Sequence, residues 1–333
     1  MAISDKLTKL STDITNAYST INTKGGTIPA NKNTDNLSTA INSIPSGDSF
    51  GSDYPVKDGK THFWIKIDSD NDMIFDLDLI SRANNNTITV NWGDNTTDTY
   101  TAGNNIGFTI SHTYSTKGNY RIDISSTEKF TLKTNNSAIQ QSIHCIAKTY
   151  FIEIGQNYAL AVAQRSVLRG FFKLKKIGFY VGANNTLYMG YETVQNDCDL
   201  EEINVFSGKV YFGSSNGMVN TSLNSCYSLK KITGNFPIDG SYAYAFYDTW
   251  SIEEIDYRNL LVDAFGNNQV ARCYSLRKLY LPELNSITTG AFTGTTQDFL
   301  DIYVPWSEGD VANAPWGATG ATIHYNWTEG GNS

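Results

Sequence analysis

The chain has 333 residues, 40% of them hydrophobic and only 17% charged, with a formal net charge of −8. That length suggests two or three modules, and the sparse charge with 20 Tyr favours β-rich, hydrogen-bonding surfaces over helical enzyme folds. A phosphate-tracking groove needs concentrated Lys and Arg, which this acidic chain lacks, so nucleic acid is not an expected partner.

The first region is residues 1–45. Its start, MAISDKLTKL, has no basic segment followed by an apolar one, so the usual export route is not expected. No long apolar run is present, so membrane insertion is not expected either. Ile3, Leu7, Leu10, Ile14, Ala17 and Ile21 follow alternating steps of four and three, which predicts an amphipathic helix with a heptad-like stripe. Ser4 or Asp5 can cap it and Gly25-Gly26 can end it. A second short helix is expected after Thr34, which can cap it, with Leu37, Ala40, Ile41 and Ile44 on one face and Pro45 as its stop. So short a stripe does not hold a free coiled coil, and so small a hairpin has little core of its own. Ile3, Leu7, Leu10, Ile14, Ile21, Leu37 and Ile41 are therefore candidate anchor or oligomerisation residues, the plainer alternative being a hairpin that packs on its own protein. Residues 46–60, rich in Gly, Ser and Asp, read as a linker.

Residues 61–145 carry short alternating strands: 62–67, 73–80, 87–92, 108–110, 120–124 and 130–132. With Asn, Gly and Asp turns between them, they predict a β-sandwich. Trp92-Gly93-Asp94, His112-Thr113-Tyr114 and Gly118-Asn119-Tyr120 together resemble the pattern of PKD-like domains. That resemblance implies an Ig-like sandwich with the Trp and Tyr in its core and His112 as a scaffold group. Asn95 stands where Gly is usual, and Asn tolerates the left-handed conformation the turn needs. Asp68-Ser69-Asp70-Asn71-Asp72 has a calcium-loop spacing but lacks the central Gly and terminal Glu, so an acidic turn is expected and no metal.

Residues 146–326 carry an internal repeat. An apolar residue, a polar or charged pair and a second apolar residue recur at 151–154, 174–177, 200–203, 229–232, 252–255, 276–279 and 299–302. The second apolar positions are spaced like leucine-rich repeats. One coil cannot bury its own face, but stacked coils align equivalent side chains into one core, with the polar pairs outside. Cys226-Tyr-Ser-Leu229 and Cys273-Tyr-Ser-Leu276 recur in register, while Cys198-Asp-Leu200 is one residue short. This register resembles BspA-like leucine-rich repeats, in which the Ala-Phe pairs at 245–246, 264–265 and 291–292 point inward. None of Cys145, Cys198, Cys226 and Cys273 has the spacing of a zinc or redox pair, and they read as small buried hydrophobes. Trp306 and Trp316 are expected to help a last strand near Ile323 cap the stack, and residues 327–333 form a tail.

Catalytic motifs are missing. The four His are scattered, and no nucleophile elbow, phosphate loop or dinucleotide fingerprint occurs. Glu201-Glu202 and Glu253-Glu254 are adjacent pairs that cannot face each other across a sugar. No enzyme activity and no cofactor are expected. Tyr242, Tyr244, Tyr247, Trp250 and Tyr257 are candidate receptor contacts, because solvent-facing Tyr and Trp offer flat apolar faces.

The segments 21–45 and 304–318 resemble the ends of structural proteins of tailed bacteriophages. That resemblance implies a virion fibre, appendage or tail component. The helices would join it to other virion proteins or to its own copies, and the repeats would meet a host-surface glycan or protein. A bacterial cell-surface adhesin is the alternative, and a polysaccharide-degrading enzyme a more distant one.

Overall fold

The computed structural model describes residues 3–23, 28–42, 50–133, 141–158, 168–189, 194, 196–197, 199–212, 223–234, 246–258, 264–268, 270–295 and 299–329. The chain divides into two units, Met1–Tyr54 and Pro55–Ser333.

In the first unit, helix α1 (Ile3–Thr23) and helix α2 (Thr34–Asn42) form a hairpin. Tyr18, Ile21 and Ala40 are its buried core, with Ile14, Ile28 and Leu37 packed against them. The Tyr18 hydroxyl donates to the Asn33 carbonyl at 2.8 Å, which ties the helix to the connection. The cap of α2 is Asn33 and not Thr34: Asn33 Oδ1 accepts from the Asn36 amide at 3.0 Å. Gly25-Gly26 and Pro45, the expected stops, lie outside the described residues, as do the side chains of Ile3 and Ile41.

The second unit is mainly β. Its first part runs through β1 (Thr61–Ile67), β2 (Ile74–Ser81), β3 (Asn86–Asn91), β4 (Thr97–Ala102), β5 (Gly107–Thr113), β6 (Gly118–Ser126) and β7 (Phe130–Leu132), followed by the single turn α3 (Ile143–Ile146). β5, β2 and β7 make one antiparallel sheet, while β1, β6, β3 and β4 belong to a larger one. Alternation works as it should: Phe75, Leu77 and Leu79 of β2 are buried and share a core with Phe63, Ile65 and Ile67 of β1. Trp92 lies fully buried beneath the turn it begins. Its indole N–H donates to Asp98 Oδ2 at 2.8 Å, and its carbonyl accepts from the Tyr114 hydroxyl at 2.9 Å. Gly93 (φ +82°) is required there, since a Cβ would come within 2.5 Å of the Arg121 carbonyl oxygen. Asn95 does adopt the left-handed conformation, at φ 72°.

The second part is a β-solenoid. Its strands are β8 (Thr149–Ile154), β9 (Lys176–Tyr180), β10 (Thr186–Met189), β11 (Glu202–Ser207), β12 (Lys209–Phe212), β13 (Lys231–Thr233), β14 (Glu254–Asp256), β15 (Ala264–Phe265), β16 (Lys278–Tyr280), β17 (Ser286–Ile287), β18 (Asp301–Tyr303) and β19 (Thr322–His324). β8, β9, β11 and β13 pair in parallel, as do β14, β16, β18 and β19. The short pairs β10–β12 and β15–β17 form further parallel walls. Ile177, Ile203 and Ile232 align across one sheet, and Ile255, Leu279, Ile302 and Ile323 across the other. Ile232 and Ile323, each on an end strand of its sheet, are the half-buried members.

Three points of register depart from the expected repeat. Ile152, not Ile154, pairs with Ile177, so the first coil sits two residues away from its expected alignment. Glu153, expected on the outer wall, is buried and accepts from the amides of Val56 and Lys57 at 2.7 Å each. In the coil of β18, Leu300 fills the core while Phe299 is 67% exposed.

β8 also pairs antiparallel with β1, so one eight-stranded sheet runs through the expected boundary at 145–146. Part of the expected linker is fixed too: besides the Glu153 contacts, Asp58 holds His62 of β1 at 2.8 Å. At the far end Trp316 is fully buried against Phe292, and its indole N–H donates to the Ala312 carbonyl at 2.8 Å.

Candidate binding surface

The solenoid repeats a tight turn just before each main strand. The residue three before the buried Leu or Ile points inward and bonds a backbone group of the preceding coil or, for Thr249, of its own turn. Cys226 Sγ donates to the Val194 carbonyl at 2.9 Å, Cys273 Sγ to the Phe246 carbonyl at 3.1 Å, and Thr249 Oγ1 to that same carbonyl at 2.8 Å. In the coil of Leu200 this place belongs to Asp197, whose Oδ1 accepts from the Phe171 amide at 2.7 Å. Cys145, Cys226 and Cys273 are free and buried; Cys198 lies outside the described residues.

The next residue of the same turn points outward. It is Tyr227, Trp250 and Tyr274 in three successive coils, and stacking lines these rings up. Tyr227 and Trp250 have centroids 4.5 Å apart at 46°, and Trp250 and Tyr274 are 6.1 Å apart at 55°. Trp250 is 43% and Tyr274 47% exposed, high values for rings of this size. One polar network holds Trp250 and Tyr274. Asp248 Oδ1 accepts from Trp250 Nε1 at 3.1 Å and meets Arg272 Nε at 3.0 Å. Arg272 also donates to the Tyr274 hydroxyl at 3.2 Å and the Tyr247 hydroxyl at 2.9 Å, its guanidinium lying 5.2 Å from the Tyr247 ring centroid. Hydrogen bonds to the hydroxyls of Tyr274 and Tyr247 push the Arg272 pKa above its usual range. The result is an exposed aromatic row whose rings are fixed by neighbours, so little rotamer freedom is lost when a ligand lands on it.

Three residues further on, each coil places a charge. Lys230, Glu253 and Arg277 follow Tyr227, Trp250 and Tyr274, and Lys231, Glu254 and Lys278 come next. The sign alternates from coil to coil. Glu202 stands between Lys176 and Lys231 in the parallel ladder, with Lys176 Nζ at 2.9 Å, and Lys175 and Lys230 reach Glu201 at 3.5 and 3.3 Å. Exposed pairs add little stability, so the alternation chiefly avoids stacking like charges along the ladder. Between β13 and β14 the two parallel sheets part, leaving a groove of about 710 Å³ lined by Lys230, Lys231, Glu253, Glu254, Arg277 and Lys278 among others. Each ring of the aromatic row lies three residues before a residue that lines this groove.

Of the candidate contacts from sequence, the structure brings Tyr247 and Trp250 together. Tyr257 is a correction: it is 1% exposed and belongs to an interior aromatic spine in which Phe246, Tyr257, Phe265, Phe292 and Trp316 meet edge to face. Tyr242 and Tyr244 lie outside the described residues. Tyr227, Tyr274 and Arg272 join the site unforeseen; the recurring Cys-Tyr-Ser-Leu already carried the signal for both Tyr.

A second aromatic column, Tyr280, Tyr303 and His324, is built differently. Its rings stack nearly flat, at 15° and 11°, so they cover one another's faces. Arg258 lies over Tyr280 and Trp327 and pairs with Asp256 and Glu329, which fixes residues 327–329 of the expected tail to the solenoid. This column consolidates the end of the stack.

The titratable clusters bind their own chain. His62 is fully buried, with Asp123 Oδ1 at 2.7 Å from Nδ1 and Asp58 Oδ1 at 2.8 Å from Nε2, so neither ring nitrogen faces a nucleophile. His112 stacks on Trp92 at 4.9 Å and bonds Asp94 at 2.7 Å through the same nitrogen that approaches Thr96. The Asp68–Asp72 turn sends its three carboxylates to three different lysines: Lys173, Lys117 and Lys148. Among the described residues, no three His, Cys, Asp or Glu converge as metal ligands, and no helix is long and apolar enough to cross a membrane. Comparison with protein-family models, curated proteins and solved structures found no match.

Proposed function

We propose that this protein is a structural component of a tailed-phage virion, a fibre, appendage or tail part, that binds the bacterial surface through the outer turns of its solenoid. The observation that carries the reading is the row Tyr227, Trp250 and Tyr274: large rings lined up in successive coils, of which Trp250 and Tyr274 are exposed and held by Asp248 and Arg272. Flat apolar faces of this kind suit sugars and the apolar patches of proteins. The charged groove supplies hydrogen-bonding groups of both signs.

Within this reading, residues 61–145 are a PKD-like spacer and the repeats are BspA-like. The motif residues Trp92, Tyr114 and Tyr120 lie together, Tyr114 and Tyr120 with centroids 4.1 Å apart, which fits the spacer role. The helical hairpin joins the protein to other virion proteins or to its own copies. The protein is made in the bacterial cytoplasm and leaves as part of the particle.

Mass spectrometry of purified phage particles tests the assignment: peptides of this chain at stoichiometric levels are expected. Their absence from particles, with the chain retained on the bacterial envelope, would instead favour the cell-surface adhesin.

A further inference from the structure

The stripe along α1 is used over only half its length. Ile21 is 3% exposed within the hairpin, but about three to four turns nearer the N-terminus Leu10 is 51% and Leu7 63% exposed. Alternating steps of three and four place Leu7 at an a position and Leu10 at a d position of a coiled-coil seam. Lys6 and Asp13 then fall at g positions, and Ser4 and Ser11 at e positions, all of them exposed.

We propose that this half of α1 pairs antiparallel with the same segment of a second copy of the chain. The proposal rests on the oligomerising role given to the hairpin above and adds partner, direction and register. A two-fold axis between Leu7 and Leu10 sets Leu7 against the partner's Leu10, and Leu10 against the partner's Leu7. In an antiparallel pair, g faces g and e faces e. That same register, with no further adjustment, sets Lys6 against the partner's Asp13 twice over, and Ser4 against the partner's Ser11.

A parallel pair would set Lys6 against Ser11 and Asp13 against Tyr18, with no charge matched, and Tyr18 is already buried within its own hairpin. Among the described residues, Lys6 meets no carboxylate, and Asp13 has only an exposed intrahelical contact to Lys9 at 2.9 Å. Charge complementarity therefore selects both a second copy as the occupant and the antiparallel direction.

Sedimentation equilibrium of the full chain is expected to show a monomer–dimer equilibrium. Leu7→Asp with Leu10→Asp should abolish the dimer and leave the circular dichroism spectrum unchanged, because both side chains are exposed. Lys6→Asp should weaken the dimer roughly tenfold, and adding Asp13→Lys should restore it, on the scale of two exposed ion pairs. Under oxidising conditions, a mixture of Ser4→Cys and Ser11→Cys chains should cross-link, while neither chain alone should. A monomer at every concentration, a trimer, or Ser4→Cys linking to itself overturns the proposal. Binding to bacterial surfaces is scored on the unmodified chain: a monomer that still binds sinks only this inference, and a dimer that does not bind sinks only the surface-binding reading.

Discussion

Asp197 occupies the interior turn position that Cys226, Thr249 and Cys273 fill in later coils, and a carboxyl is the worst of these groups to bury. Burial pushes its pKa well above the usual carboxylate range, and the amides of Phe171 and Gly170 only partly oppose this. Its second oxygen is buried without a partner. A carboxyl with a raised pKa is most favourable below its unfolded value and loses ground as pH rises. Asp197→Asn should therefore raise the melting temperature at pH 7, with the gain shrinking toward pH 4; a loss at pH 7 would contradict this. His62 and Asp123 show the opposite balance. Burial alone would raise Asp123, but hydrogen bonds from His62 and Arg121 outweigh it and hold its pKa at about 2. Burial alone would lower His62, yet the bonds to Asp123 and Asp58 leave its pKa raised. The Asp123 contribution, on the order of 2 kcal/mol, is present above the ordinary carboxylate pKa and fades as pH falls toward the folded value. The His62 contribution is complete below the ordinary imidazole pKa and fades as pH rises through its folded value. His62→Gln should remove that alkaline slope, measured as melting temperature against pH. Neither cluster was legible in sequence, because Asp58, His62 and Asp123 meet only once β1 and β6 are paired.

At the level of elements, the aliphatic columns were legible and the first coil was not. Ile177, Ile203, Ile255, Leu279 and Ile302 recur with the period of the stack, so spacing alone finds them. In the stretch Phe151-Ile152-Glu153-Ile154 two apolar alignments are possible. What decides between them is the pairing of β8 with β1 and the anchoring of Glu153 by Val56 and Lys57, both remote in sequence. β4 also escaped notice, because its sequence TDTYTA lies on an exposed edge and shows little apolar alternation. Tyr257 was misplaced because composition does not distinguish an inward from an outward Tyr; the register of β14 does. Ile203→Ala, in the middle of a column, should cost about 2–4 kcal/mol in chemical denaturation, the usual penalty for a buried aliphatic cavity. A cost near that of an exposed site would mean that the columns do not carry the solenoid.

For the molecule as a whole, the sheet shared by β1 and β8 makes residues 55–333 one folding unit. Cutting at 145–146 removes an entire hydrogen-bonded neighbour from β1 and leaves a bare edge. Residues 61–145 alone should therefore aggregate or remain unfolded by circular dichroism, whereas deletion of 1–54 should leave the melting transition of the rest in place. Function rests on what the outer turns of the stack display. Its most direct test is calorimetric titration of the full chain, and of a Trp250→Ala, Tyr274→Ala double variant, with bacterial surface polysaccharide and envelope proteins. The account predicts saturable binding by the wild type, and at least a tenfold loss in the variant at unchanged melting temperature, the scale of removing two aromatic hot spots. Equal binding by the two proteins would contradict it.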